Sequence, residues 1–146
     1  SDSDDKFLLE SLPGLPNDEL FNHPVTLALN EQAVIRSRAN GGNRTLELVL
    51  NESRPTGEPV TVALNRRYLA QALELGFREL LLFGASEPAQ FQDGKRQHIF
   101  ALLAPDSALK PVADAVQIHS SGVPTAISPT RRTKRSLAAR HVRQAA

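Results

Sequence analysis

Four histidines, His23, His98, His119 and His141, are the residues of this chain best suited to carry a proton or hold a metal. They are scattered, with no His-x-x-x-His pair and no carboxylate at ligand spacing, and the chain has no cysteine to supply a thiolate. No metal and no cofactor is therefore expected. The adjacent carboxylates Asp4-Asp5 and Asp18-Glu19 fall where loops are expected and read as solvated charge. Ser120-Ser121 has no base within sequence reach, so a nucleophile there needs a partner delivered by the fold. Asn40-Gly41-Gly42-Asn43 is rich in glycine but lies between two expected strands, without the helix N-terminus that a phosphate loop uses. The triplets at Asn43 and Asn51 match glycosylation acceptors, which carry no weight without a secretory signal. With no catalytic constellation, the expectation is a protein that is not an enzyme.

Charge offers another chemistry, contact with a polyanion. After Asp114 there is no acidic residue, while Arg131, Arg132, Lys134, Arg135, Arg140 and Arg143 are basic. The other 11 of the 17 basic residues face all 16 acidic ones before position 115, a net of −5 there. An acidic body with a basic end is the reverse of a domain that grips duplex DNA by itself. The run RRTKRSLAARHVR suits weak, non-specific and salt-sensitive contact with nucleic acid, or simply a solvated end.

The elements that must carry these residues follow from patterning. A chain of 146 residues has room for one modest domain, and 5% aromatic residues with no Trp leave the core to aliphatic side chains. No apolar run approaches the roughly 20 residues of a membrane span, and no charged-then-apolar leader is read, so a cytoplasmic protein is expected. Ser1 to Asp5 reads as a frayed end and Lys6 to Ser11 as a short strand or a single helical turn, closed by Pro13, Gly14 and Pro16. From Pro24 apolar residues alternate: Val25, Leu27, Leu29; then Ala33, Ile35, Ser37; then Leu46, Leu48, Leu50. Arg36 and Arg38 are expected to point to solvent. Asn40 to Asn43 is the strongest hairpin signal, Pro55 to Gly57 breaks the third strand, and Val60 to Leu64 begins the next.

The period then changes to 3.6. Asn65 is a good N-cap, Leu69, Ala72, Leu73 and Gly76 form one stripe with Tyr68 beside it, and Gly76 is placed to end the helix. Short strands are expected at Glu79 to Phe83, Ala89 to Gln92 and His98 to Leu103, with Asp93-Gly94 as a hairpin turn. Beyond Pro105 the pattern fades into linker composition, with a short edge segment near Ala115 and a final stretch that forms a helix only on a partner.

A strand, a capped helix opening Asn-x-x-Tyr-Leu and three further strands resemble the last domain of bacterial DNA polymerase III sliding clamps. The matching residues are Leu64, Asn65, Tyr68, Leu69 and Leu73, then Gln90, Asp93 and the HIFALL strand, and the likeness runs from about Val25 to Leu103. It implies an α+β, DNA-clamp-like fold of small antiparallel sheets with one main helix on a face. The expected division is an N-terminal extension with a short strand (1–23), a clamp-like domain (24–105) and a disordered basic tail (106–146). The resemblance departs in two places: Lys6 to Asn22 leaves no room for the family's first long helix, and Ala101 to Ala104 replaces its terminal partner-binding run. What it implies about sites is a partner pocket lined by Tyr68, Pro88, Ile99 and Ala101, with Asn65 at its edge. It also implies DNA contacts from Arg66, Arg67 and Arg78 on the helix, beside Arg131, Arg132, Lys134 and Arg135 in the tail. The function implied is a DNA replication accessory module, a processivity factor or scaffold assembling by edge-strand pairing. Its expected partners are further clamp domains or copies of itself, replication-protein peptides and non-specific duplex DNA. The alternative is a small protein-interaction adaptor that kept the fold and not the DNA role.

Overall fold

The first ten described residues form a helix. In the computed structural model, which describes residues 2–16, 23–38, 44–121 and 141–144, α1 spans Asp2–Ser11 and runs into a 3-10 turn at Leu12–Gly14. Of the two alternatives for Lys6 to Ser11 the helical one forms, longer than a single turn and reaching back over the expected frayed end, so the segment does hold a helix ahead of its prolines. The reason is the identity of the inward positions. Asp4, Leu8 and Leu12 follow one another at i, i+4 and i+8 and all are buried, so the stripe begins with an acid instead of an apolar residue. Acids in the first turn also suit the positive end of the helix dipole. Pro13 stops the helix by taking away an amide donor.

Two five-stranded sheets follow. β1 (Pro24–Leu29), β2 (Ala33–Arg38), β3 (Thr45–Leu50) and β5 (Val60–Asn65) build sheet A in the order β5-β1-β2-β3, all antiparallel. β6 (Glu79–Leu82), β7 (Ala89–Asp93) and β8 (Arg96–Phe100) form an antiparallel meander in sheet B. The turn between β7 and β8 is the one expected at Asp93-Gly94, with Gly94 at φ 56°, a conformation that costs glycine little. It pairs Asp93 with Arg96, so β8 begins earlier than the apolar run alone suggests. The Asn40 to Asn43 hairpin signal lies outside the described residues, although Arg38 and Thr45 are opposite each other as such a turn requires.

The sheets are not purely antiparallel. β9 (Val116–His119) adds to β3 in parallel, and β10 (His141–Gln144) runs parallel to both β6 and β4 (Arg54–Thr56). β9 is the short edge segment expected near Ala115, whereas β10 stands where a partner-dependent helix was expected. Pro55 sits within β4, at the outer edge of sheet B, where a missing amide costs little.

The core lies between these layers. Val25, Leu27, Leu29, Ile35, Leu48, Val62 and Leu64 of sheet A meet Leu80, Leu82, Phe91 and Phe100 of sheet B, and Leu8, Leu12, Leu69 and Leu73 close it from the helices. The second face of sheet A is covered as well. The chain after β8 crosses it, with the Leu103 amide bonded to Ala63 O at 2.8 Å and the Leu109 amide to Thr26 Oγ1 at 2.7 Å. Beneath it Arg36, expected in solvent, is buried and paired with Glu47 at 2.6 Å, its cross-strand neighbour, while Gln117 of β9 donates to the same carboxylate at 2.9 Å.

Candidate functional site

α2 (Arg66–Glu74) starts and stops where the sequence says it should. The Asn65 side chain accepts from the Arg67 amide at 2.8 Å, the N-cap bond. At the other end Gly76 has φ 94°, its amide reaches Leu73 O and the Phe77 amide reaches Ala72 O, both at 3.0 Å. These two bonds are the 5→2 and 6→1 pair of a Schellman ending.

The three helix-associated arginines expected to face DNA have three different surroundings. Arg66 is only 6% exposed. Its guanidinium donates to Leu15 O at 2.9 Å, Pro16 O at 2.7 Å and Leu12 O at 3.3 Å, and its Nε to His23 O at 3.4 Å. It therefore satisfies carbonyls left over where α1 and its 3-10 turn end, and it is not a surface cation. Arg78 is pinned too, with Nε 2.5 Å from Asp5 of α1 and Nη1 bonded to Phe77 O and Leu73 O at the end of α2. Arg67 alone of the three is exposed.

Arg67 belongs to an outward helix face that carries no net charge. The exposed residues of α2 include Arg67, Gln71 and Glu74, and among the α1 residues whose exposure is described Ser3, Lys6 and Glu10 are exposed. These are two cations and two anions, among the residues whose exposure is described. A surface built to lie along phosphates carries an excess of cations. Arg131, Arg132, Lys134 and Arg135 of the basic tail lie outside the described residues.

The expected partner pocket is spread over two faces of sheet B. Tyr68 is 42% exposed and its ring meets that of Phe100 at 5.6 Å, beside a row formed by Phe77, Phe91 and His98. Ile99 is 58% exposed and, as the neighbour of Phe100 in a strand, points away from Tyr68. Pro88 and Ala101 are exposed beyond the ends of β7 and β8, and Asn65 is the cap. The five residues do not converge on one surface.

A polar cluster that the sequence hides is built around Asp4, which is 1% exposed. Its carboxylate accepts from Ser53 Oγ at 2.6 Å, from the Glu52 amide at 3.0 Å and from Ser120 Oγ. Ser120 Oγ in turn accepts from the Asn51 amide at 2.9 Å, and the Asn51 side chain contacts His119 Nδ1 at 3.3 Å. This is the spatial partner that Ser120 lacked in sequence, and it is a carboxylate accepting the hydroxyl's hydrogen bond directly, with no imidazole between. The cluster ties α1, the β3–β4 turn and the end of β9 together, and Asp4 is not the solvated charge it resembled. Asp18-Glu19 lies outside the described residues. Among the described residues no group of three His, Asp or Glu side chains is placed to hold a metal ion, and no helix is long and apolar enough to cross a membrane.

The layered arrangement, two helices side by side against two sheets with β5 of the second half completing the sheet of the first, is matched in known structures. The DNA polymerase III subunit beta from Pseudomonas aeruginosa aligns over 68% of this chain with a TM-score of 0.51 at 13% identity. A DnaN sliding clamp from Bartonella birtlesii, solved bound to griselimycin, aligns over the same share at 0.50 and 14%. The fold is that of a sliding-clamp domain. The chain spans under a third of those proteins, 29% of each. No protein-family model matches the sequence, and no curated protein matches it closely enough to count. At such identities the clamp fold is what the likeness establishes, and the features of this copy, the buried Arg66, the Asp4 cluster and the strands β9 and β10, come from its own residues.

Proposed function

We propose that this clamp-fold chain is a non-enzymatic, cytoplasmic DNA replication accessory, a processivity or scaffold module that works by assembly. The observation that carries the reading is the clamp architecture itself, two sheets backed by two helices, with outer strands β5 and β8 offering edges for pairing with further clamp domains or another copy. Replication-protein peptides are the natural small partners of such a module, and Tyr68, standing proud of the Phe100 cluster, is the best-placed residue of the expected pocket to meet one. Nucleic-acid contact falls to the tail cations Arg131, Arg132, Lys134 and Arg135, with Arg67 the helix contributor.

A second reading has its own support. The outward helix face has no excess of cations, which favours a protein-interaction adaptor that kept the fold without a DNA-facing surface. Two measurements separate them. Light scattering across concentration reads assembly, and duplex binding titrated against salt reads the tail. The replication reading expects concentration-dependent oligomers and DNA binding that weakens steeply with salt and is largely lost when the four tail cations are replaced by Gln. A strict monomer with no DNA affinity gives the function to the adaptor. DNA binding untouched by the four substitutions removes the tail from the mechanism.

A further inference from the structure

β9 is an outer strand of sheet A, and no described strand pairs with its far edge. Outer strands are usually guarded by charge or proline, because a bare edge invites pairing with another chain. In sheet B, β4 carries Pro55 and β8 opens with Arg96. β9 has neither device, and residues 115–121, AVQIHSS, hold no acid, lysine or arginine. Val116 is 38% exposed and Ile118 43%, on the side of the sheet where their neighbours Leu46 and Leu48 face the core. Gln117 lies on the other side, where it donates to Glu47. About Gln117 the strand therefore reads apolar, polar, apolar, the same in either direction.

The backbone is set in the same sense. The Ser120 amide bonds Val49 O at 2.9 Å, so the backbone groups of residues 116, 118 and 120 turn toward β3. Those of Gln117 and His119 turn outward. A second β9, antiparallel and with its Gln117 opposite this one, satisfies the outward Gln117 amide and carbonyl of both copies. It keeps the faces aligned, because directly opposed residues lie on the same side of a sheet. Val116 then meets Ile118 of the second copy, and Ile118 meets its Val116, in the closer of the two kinds of antiparallel pair. Moving one copy along by one residue sets apolar side chains on the polar face. Moving it by two pairs one apolar residue with itself and leaves the other unmatched.

We infer that this chain forms a two-fold dimer through β9, with the axis at Gln117, joining two five-stranded sheets into one. The occupant is a second copy because the edge matches itself in side-chain order, in hydrogen-bond register and in charge. The chain before position 115 has 11 basic and 16 acidic residues, a net of −5, and an uncharged edge is where two such bodies meet with least repulsion. Four strand residues a side bury less than the roughly 1,200 Å² of a standard interface, so the dimer is transient. It is isologous and closes at two copies. The inference goes beyond the function proposed above and uses neither β5 nor β8, so the two stand or fall separately.

The test exploits the absence of cysteine, which lets single thiols report the register. At the axis the two Cα atoms stand about 5.5 Å apart, within disulfide reach, whereas the two Ile118 Cα atoms are more than ~7 Å apart. Under mild oxidation of the full chain at high concentration, Gln117→Cys is expected to give disulfide-linked dimer at least tenfold faster than Ile118→Cys. Light scattering across concentration should show a monomer–dimer equilibrium in the unchanged chain, weakened at least tenfold by Ile118→Lys. Equal rates for the two cysteine variants overturn the inference. So does an oligomer indifferent to Ile118→Lys, which would return assembly to the edges of β5 and β8. A strict monomer at the highest concentration overturns it as well. Should Ile118→Lys fail to fold, Val116→Lys takes its place with the same expectation, and the cross-linking rates test the register without either.

Discussion

Arg66 and Arg67 stand side by side with the same charge, one guanidinium buried against the carbonyls of Leu12, Leu15 and Pro16, the other in solvent. Replacing Arg66 by Ala strips donors from buried carbonyls, and hydrogen bonds to a charged group are worth about 1.5–3 kcal/mol each. Since the carbonyls partly relax toward water, a net loss of roughly 2–4 kcal/mol is expected in denaturant unfolding. Arg66→Lys recovers little, because an ammonium cannot fan out to carbonyls set around a planar fork. Arg67→Ala should stay within about 0.5 kcal/mol. Nothing in the sequence separates these two arginines, because the carbonyls that select Arg66 come from a turn some fifty positions earlier. Asp93 offers a prediction in pH. The hydrogen bond and charge of Arg96 hold its carboxyl below the ordinary 3.8. A depressed folded value means that the pair's contribution is complete above the unfolded value and disappears as pH falls through the folded one. A carboxyl titration followed by NMR should show the depression in the native chain and its loss in Arg96→Gln.

α2 was legible because both of its ends are written in local chemistry. Asn65→Ala removes the acceptor for the Arg67 amide and should cost about 1 kcal/mol, within the 0.5–2 range of lost caps. Gly76→Ala tests the other end. A Cβ there would meet Arg96 Nη2 at 3.6 Å, ordinary contact, so the cost comes from φ 94° and should be about 1 kcal/mol. Thermal unfolding of the two single variants and the double should show additive losses, since the caps lie at opposite ends of the helix. α1 was illegible for the converse reason. Its stripe starts with Asp4, so a search for apolar period found too few positions to choose helix over strand. β1 to β3 were readable from alternation on the core face, whereas the burial of Arg36, Thr26 and Glu47 on the second face depends on the 102–115 crossing and on β9. Alternation reports which residues share a face, and it is silent about what covers that face.

At the scale of the whole molecule, the sequence suggested a clamp-like unit from Val25 to Leu103 followed by a tail, and the described structure takes a strand for each sheet from the residues after Asp114. The expected arginine face dissolved because two of its three members are structural, which no pattern of charge along the chain could reveal. Long-range closure of this kind concentrates at Asp4, where α1, the β3–β4 turn and the residue after β9 meet through one carboxylate. A single buried acceptor shared by three elements should make them open together rather than one by one. Asp4→Asn keeps the shape and turns one of two acceptors into a donor facing hydroxyl and amide donors, so a loss of roughly 2–3 kcal/mol is expected. The informative readout is hydrogen exchange by region. Amides of α1, of Asn51–Ser53 and of β9 should all accelerate by a similar factor, while those of α2 and the β7–β8 hairpin stay near their native rates. Faster exchange confined to α1 would mean that β9 is held by β3 alone, and that the Asp4 cluster decorates the contact between the chain ends instead of joining them.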